Sequence, residues 1–435
     1  MFTRIKTLKY VNFSYRDGTF FFTYLLDDEK VVLELTHTVK STLPEQTIER
    51  IGFNIGMCYL MDLAEVTLPE SITVYKKMPQ LALNYWIKLY EEQVLEKCYV
   101  LGLSTTVKNI EWKMQEEEMD TTPLDIAGKQ DHVAICLTGG KESLSLLKTL
   151  EGKKPLLLFF LDLESNVHRQ KMYQTIKDMH LTIRTNSNRE TIFNPLKEKY
   201  RGLQCSADIA HLVFNTMLYA NICKNVLIGN EYSANYPNDV YEGSVINHQF
   251  VKTIRYAENL NNYIHDFVTK DFAYHSPFFG IYEYKITDLL FQNEKYLDVW
   301  TSCNRILPDV NFCCNCYKCA FTYLLARTKK SEAFLSKIFS KNMLDEIELF
   351  KPLMDFVGVK PLDCVGDKTE VWIALEALLE KGEQSKVLTY YKENIRPQIE
   401  EKLEDYKHQI NSVQKIPVTC PEEIQSIIND ALDLE

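Results

Sequence analysis

The strongest constraint on this chain is a junction. Five consecutive apolar residues, Val133-Ala134-Ile135-Cys136-Leu137, run directly into Thr138-Gly139-Gly140-Lys141-Glu142-Ser143, and an amphipathic stretch follows from Ser143 to Leu150. The apolar run suits a strand buried on both faces, and the stretch after it carries a helical period. The paired glycines allow a tight turn between them. Strand, turn and helix in this order make half of a βαβ unit, and the pattern repeats. Further strands are predicted at Leu156–Leu161, Leu181–Arg184 and Val226–Ile228, separated by helices at His168–Met179 and Ala207–Ile222. This alternation implies an α/β fold with a parallel, Rossmann-like sheet covered on both faces. Ligands of such sheets bind beyond the carboxyl ends of the strands. That rule singles out Thr138–Ser143, Asp162 and Gly229–Glu231.

Flanking segments read differently. From Phe2 to about Leu68 the pattern favours short strands, among them Thr19–Leu26 and Lys30–Leu35. Leu81–Leu101 has a long helical pattern. Glu111–Lys129 is acidic and polar, carries Thr121-Thr122-Pro123, and reads as a linker. Beyond Lys329 the chain reads as helices, with a strongly charged one near Ile395–Asn411. The predicted organisation is a smaller β-rich N-terminal domain for substrate recognition (residues 1–120), a central domain holding the junction (130–330) and a helical C-terminal region (331–435).

Charge and cysteine usage narrow the partners. A net charge of −11 argues against wholesale binding of nucleic acid, which needs a basic face. No stretch approaches the length of a membrane span. Met1–Phe13 lacks the apolar core and cleavage site of a secretory signal. Twelve cysteines without an export signal point to a reducing, cytoplasmic setting, where clustered thiols bind metal more often than they pair. Cys303, Cys313, Cys316 and Cys319 form such a cluster, with a spacing that suits a closed tetrahedral zinc site; Cys314 is an alternative to Cys313.

Thr138–Ser143 is the candidate phosphate loop. Its glycines let backbone N–H groups approach an anion at a helix N-terminus, Lys141 adds charge, and Thr138 and Ser143 add hydroxyls. The Walker-type spacing is absent. The string resembles the S-G-G-x-D-S signature of the pyrophosphatase-loop (PP-loop) enzymes, which cleave ATP between the α and β phosphates and adenylate an oxygen of the substrate. Thr138 stands for Ser and Glu142 for Asp, keeping a hydroxyl and a carboxylate able to share in Mg²⁺ binding. As a loop charge, Lys141 is expected to serve ligand rather than core, so that Lys141→Ala weakens activity without unfolding the chain.

Further strings follow in order: Gly229-Asn230-Glu231-Tyr232-Ser233-Ala234-Asn235, Val245-Ile246-Asn247-His248-Gln249, Ser302-Cys303-Asn304-Arg305, Cys316-Tyr317-Lys318-Cys319-Ala320-Phe321 and Lys360-Pro361-Leu362-Asp363-Cys364-Val365-Gly366. Together they resemble the ATP-dependent UDP-N-acetylmuramoyl-L-alanyl-L-glutamate epimerases of peptidoglycan synthesis. The likeness is strong from about Val133 to Glu370. Before it, Gln93-Val94-Leu95-Glu96 stands where that group shows Gly-Leu-Gly-Glu. The resemblance implies a UDP-sugar peptide or other short peptide as substrate, with neither nucleic acid nor membrane as partner. It also implies ATP with Mg²⁺, adenylation of the terminal carboxylate, inversion at the α-carbon, and release of AMP and pyrophosphate. Glu231, His248 and Cys364 are then the candidates for proton transfer. Thr138–Ser143, Asp162, Gly229 and Asn230 are candidates for binding ATP, and Lys252, Arg305 and Lys318 for binding phosphate. A ligase similar to 7-cyano-7-deazaguanine synthase, with its own loop and zinc thiolates, is the alternative enzyme. A nucleotide-sensing module is the non-enzymatic one.

Overall fold

The computed structural model describes residues 4–201, 208–305, 307, 310–356, 358–417 and 420–434. Its strands are β1 (Thr7–Arg16), β2 (Thr19–Leu26), β3 (Glu29–His37), β4 (Ser71–Val74), β5 (Glu111–Met114), β6 (His132–Cys136), β7 (Leu156–Phe160), β8 (Leu181–Ser187), β9 (Cys223–Leu227), β10 (Asp239–Tyr241), β11 (Ser244–Ile246) and β12 (Ala273–His275). Ten of them join in one sheet, in the order β12-β9-β6-β7-β8-β3-β2-β1-β4-β5. From β12 to β8 every pairing is parallel. At β8 the sheet continues into the N-terminal meander through a short antiparallel seam: Leu35 opposite Ser187, Thr36 opposite Asn186 and His37 opposite Thr185.

Nine helices are placed around this sheet: α1 (Glu45–Thr67), α2 (Gln80–Leu101), α3 (Lys141–Leu150), α4 (Val167–Ile176), α5 (Arg189–Tyr200), α6 (Asp208–Met217), α7 (Ile254–Phe267), α8 (Glu283–Phe291) and α9 (Tyr317–Arg327). The C-terminal region adds α10 (Glu332–Leu335), α11 (Ile347–Met354), α12 (Lys368–Glu380) and further helical pieces out to Ala431. Side chains of the central strands alternate between two cores. Ala134, Cys136, Leu157 and Phe159 face a core shared with α1, α2, α6 and α7. Val133, Ile135, Leu156, Leu158 and Phe160 face a core shared with α3, α8, α9 and α12. The helical C-terminal region therefore closes the second face of the parallel sheet. This double burial is why β6 and β7 read as continuous apolar runs.

Two segments depart from the sequence expectation. The region predicted as strands up to Leu68 becomes a helix from Glu45 onward, and every residue from Arg50 to Thr67 is buried. A helix buried all round has no polar stripe to reveal its period. Gly52 and Gly56 let it approach the sheet: a Cβ on Gly56 would lie 1.9 Å from Tyr10 Oη. The polar segment read as a linker begins with β5, an edge strand whose residues are only half-buried or exposed. The predicted helix Ala207–Ile222 corresponds to α6, which ends at Met217, so that Leu218–Ile222 is turn rather than helix; Ala207 lies outside the described residues. Among the described residues no helix is long and apolar enough to cross a membrane.

Candidate active site

The Thr138–Ser143 loop lies at the carboxyl end of β6 and opens α3. Gly139 turns the chain with φ of +88°, a conformation that side chains disfavour, and Gly140 is the N-cap with an extended ψ. Gly140 has no side chain to cap α3, so the first turn beyond Lys141 keeps N–H donors for an anion. A neighbouring segment backs the loop: Thr301 N donates to Gly139 O at 2.9 Å, and Lys141 N donates to Ser302 Oγ at 3.2 Å. Ser143 Oγ donates to Gly140 O at 3.1 Å, tightening the turn.

Lys141 is only 1% exposed. Its ammonium bonds Glu142 Oε1 and, at 2.8 Å, Glu283 Oε2. Burial works against that charge, but Glu142, Glu283 and Glu231 outweigh it and hold the amine protonated. Burial also disfavours the Glu142 carboxylate, yet Lys141, Lys318 and Lys252 keep it below the ordinary range. Glu283 goes the other way, raised by burial and by Glu231 and Glu142 against the pull of Lys141. One carboxylate oxygen each from Glu142, Glu231 and Glu283 lies within 4.8 Å of the others. Glu231 is buried, its Oε1 lies 3.8 Å from Lys252 Nζ, and its Oε2 has no hydrogen-bond partner among the described residues. Three converging carboxylates with an orphaned oxygen fit a hard divalent cation such as Mg²⁺.

Gly229 explains how β9 reaches this cluster. A Cβ there would sit 2.6 Å from Glu142 Cβ and 3.1 Å from its carbonyl carbon, so only glycine allows the approach. Gly229→Ala is expected to push Glu142 off the cluster, costing about 1–3 kcal/mol of stability as an overpacked site. If the loop binds a nucleotide, the substitution should also weaken that affinity, measurable by calorimetry; unchanged affinity would mean that Glu142 is not part of the ligand site. Asn230 follows, its amide hydrogen-bonded to Tyr274 Oη and its N–H to Ser276 Oγ at 2.9 Å. Asp162, at the end of β7, has φ of +47° and an unpartnered Oδ1, with its N–H on Thr185 Oγ1 at 3.0 Å.

The late loop supplies the thiol. His248 Nδ1 lies 2.8 Å from Glu96 Oε1; burial opposes charge on the ring, but Cys364 and Glu96 raise its pKa. Asn238 ties the two loops together: it accepts from His248 N at 2.8 Å and donates to Lys360 O at 3.1 Å and Pro361 O at 2.7 Å. Lys252 and Lys318 act electrostatically on both Cys364 and the glutamate cluster. The side chain of Arg305 is exposed; its backbone N–H donates to Cys303 Sγ at 3.4 Å.

The sulfurs of Cys303, Cys313, Cys316 and Cys319 lie within 4.8 Å of one another. Cys314, by contrast, is buried with its thiol toward Phe312 O at 3.7 Å, and it is not among the four. Cys316 caps α9, accepting from Cys319 N at 3.4 Å. Four sulfurs with N–H donors to two of them fit a tetrahedral thiophilic cation. Thr301, Ser302 and Cys303 are consecutive, so one short segment joins this cluster to the Thr138–Ser143 loop.

Sequence reasoning missed Glu283, Glu96 and Lys360 as site members. Glu283 opens α8, where an acidic residue reads as a helix-dipole partner. Glu96 lies in the string that departs from the epimerase pattern and keeps that pattern's final carboxylate. Lys360 belongs to a quoted string, but nothing in one sequence marks its ammonium as buried.

A family model described as the MurL N-terminal domain matches residues 2–277, and one described as the MurL C-terminal domain matches residues 299–406. The chain is 26% identical over 186 residues to the UDP-N-acetyl-alpha-D-muramoyl-L-alanyl-L-glutamate epimerase of Xanthomonas oryzae pv. oryzae, covering 40% of this chain and 41% of that protein. It is 32% identical over 165 residues to the protein of the same description from a Micromonospora species, covering 36% and 37%. For the Salinispora tropica protein of that description the figures are 30% over 167 residues, with 37% and 36% covered. These alignments span about two fifths of the curated relatives' length. No solved structure gives a significant match.

Proposed function

The chain belongs to the MurL family, and from that premise we propose that it is an ATP-dependent epimerase working through an acyl adenylate. The substrate in this reading is UDP-N-acetylmuramoyl-L-alanyl-L-glutamate or a related short peptide with a free terminal carboxylate. One observation carries the ATP part: a glycine-turned helix N-terminus opens onto three clustered glutamates, with Lys252 and Lys318 acting on them from two other segments of the chain.

The chemistry gives such a site its purpose. Removing the α-proton of a free carboxylate puts a second negative charge beside the first. A mixed anhydride with AMP instead lets the carbanion delocalise as an enolate, which fixed cations and N–H donors can stabilise. In this reading the PP-loop, Thr138–Ser143, takes the phosphates, with Lys252 and Lys318 beside the bond that breaks. Asp162, Gly229 and Asn230 line the nucleoside side. Glu142, Glu231 and Glu283 would hold Mg²⁺, which neutralises phosphate charge when bound. Cys303, Cys313, Cys316 and Cys319 would hold a structural zinc. With Glu231 committed to the cation, His248 and Cys364 are the groups left to share the proton transfers. A cytoplasmic, reducing setting suits these free thiols.

In D₂O with ATP, Mg²⁺ and UDP-N-acetylmuramoyl-L-alanyl-L-glutamate, the protein should place deuterium at the glutamate α-carbon and convert L to D. AMP and pyrophosphate should form in step, and nothing should exchange without ATP. Formation of ADP would refute the phosphate chemistry. Transfer of the activated acyl group to an amine, with configuration retained, would favour the ligase.

A further inference from the structure

One face of α2 joins the candidate active site to a groove. Leu81, Tyr85, Lys88, Glu92 and Glu96 follow one another at spacings of three and four residues, so they form a single stripe on the helix. Glu96 meets His248 at 2.8 Å. The earlier members of the stripe line a groove of ≈ 530 Å³ between α2 and α7, within the size range of small-molecule sites. From Leu81 to Glu92 it runs about 16 Å at 1.5 Å per residue. Its inner end lies one helical turn from Glu96, where Phe250 and Thr253, on either side of the Val251-Lys252 pair, also line it.

The floor is aromatic and firmly held. Tyr85 stacks on Tyr263 with ring centres 4.6 Å apart, and its hydroxyl lies 3.4 Å from that of Tyr256. Trp86 packs edge-on against Tyr85 and Tyr263 at 5.0 Å and 5.5 Å and donates to Tyr263 Oη at 3.1 Å, while Tyr263 donates to Asn54 Oδ1 at 2.6 Å. Tyr85 is only half-buried, so part of it faces the groove. The rim is rich in carboxamides. Asn259 and Asn262 are exposed along it and make no side-chain hydrogen bond among the described residues. Its charges balance, Lys88 and Arg255 against Glu92 and Asp266, and Arg255 is already paired with Glu92. Such a balance offers little to a polyanion, and tyrosine hydroxyls with carboxamides offer little to an aliphatic helix. A flat ring with donors and acceptors on its edge matches both parts, stacking on the tyrosine while the carboxamides take its edge.

Resting on the epimerase reading above, we infer that this groove binds the uridine end of the nucleotide-sugar substrate, with uracil against Tyr85 and its edge on Asn259 and Asn262. The substrate is then gripped far from the carbon that reacts, and this remote binding holds the terminal carboxylate in the site. It also separates the nucleotide-linked substrate from free peptides with the same terminus. The groove is built from α2 and α7 and the Thr138–Ser143 loop opens α3, so uridine and ATP take separate places.

The probe for this is UDP-N-acetylglucosamine, which has no carboxylate to activate, added to the whole chain without ATP. Saturation-transfer NMR should show the strongest transfer to the uracil ring protons. Calorimetry should show binding that ATP does not displace and that N-acetylglucosamine alone does not reproduce. Tyr85→Ala, and separately Asn259→Ala combined with Asn262→Ala, should weaken it about tenfold or more, the scale of one base stacked on an aromatic side chain. In turnover the asparagine variant should raise KM for UDP-N-acetylmuramoyl-L-alanyl-L-glutamate by a similar factor and leave kcat in place. No binding, displacement by ATP, or unchanged affinity in the folded asparagine variant would overturn the groove assignment. So would a wild-type dimer in sedimentation that Tyr85→Ala turns monomeric, which would give the groove to a second copy of the chain. α-Deuteration of the substrate without uridine binding would leave the epimerase reading standing and remove the groove; uridine binding without α-deuteration would do the reverse. The wild-type NMR contact decides the matter even if a variant fails to fold.

Discussion

Lys141→Ala is expected to lose about 3–5 kcal/mol of stability along with its activity, because it leaves Glu142 and Glu283 buried without their shared cation. This corrects the expectation from sequence, which treated Lys141 as a loop charge serving ligand rather than core. At 1% exposure it is part of the core's charge balance. The sign of the pH dependence follows. Burial, Glu231 and Glu142 already raise Glu283, and Lys141 is what restrains it. Without the ammonium its folded-state pKa climbs further above the unfolded value near about 4.3. The folded variant then holds a proton that the unfolded chain has released, so its stability is greatest in acid and falls as pH rises through that window. Added Mg²⁺ should restore part of the loss by occupying the same carboxylates. Denaturant midpoints across pH, with and without Mg²⁺, measure all three. A variant as stable as the wild type at neutral pH would show that the buried pairing is not needed.

The cysteine cluster carries the second large effect. If four thiolates hold zinc, their binding energy is folding energy, on the order of 10 kcal/mol in small zinc peptides and comparable with a whole domain's stability. Cys316→Ala should therefore yield metal-free protein that unfolds far below the wild type or fails to accumulate. The loss should also reach the Thr138–Ser143 loop. Thr301 and Ser302 hold Gly139 and Lys141 by hydrogen bonds, and Cys303 anchors that segment to the cluster. Chelation strong enough to strip the metal should weaken nucleotide binding before global unfolding, seen as a rise in Kd ahead of the loss of helical signal. Reduced wild-type protein that is folded and active with no bound metal would remove the basis for both expectations.

The parts of this fold legible in sequence are those whose local pattern matches their final environment. β2 matches its predicted limits because its residues alternate between core and half-buried positions. β6, the glycine turn and α3 also emerge close to their predicted limits, since a strand buried on both faces followed by an amphipathic helix leaves an unambiguous pattern. α1 was hidden by uniform burial, and β5 by its exposure at an edge. At the site, residues in compact strings could be named, but their meeting could not. Glu96 reaches His248 across 152 positions, and Glu283 reaches Lys141 across 142. Pairings of that span depend on the sheet order, which no local period encodes.

The antiparallel seam between β3 and β8 bears on how the chain is made. Thr38 and Arg184, which hydrogen-bond where the seam ends, are 146 positions apart. As the polypeptide leaves the ribosome, the β1–β3 meander is complete long before β8 exists, and the outer edge of β3 waits with unsatisfied N–H and C=O groups. Such an edge recruits other strands, and contacts this distant in sequence form slowly. Newly made chains should thus be most prone to aggregate in the interval before β8 emerges, and truncations ending between β3 and β8 should be less soluble than the full chain.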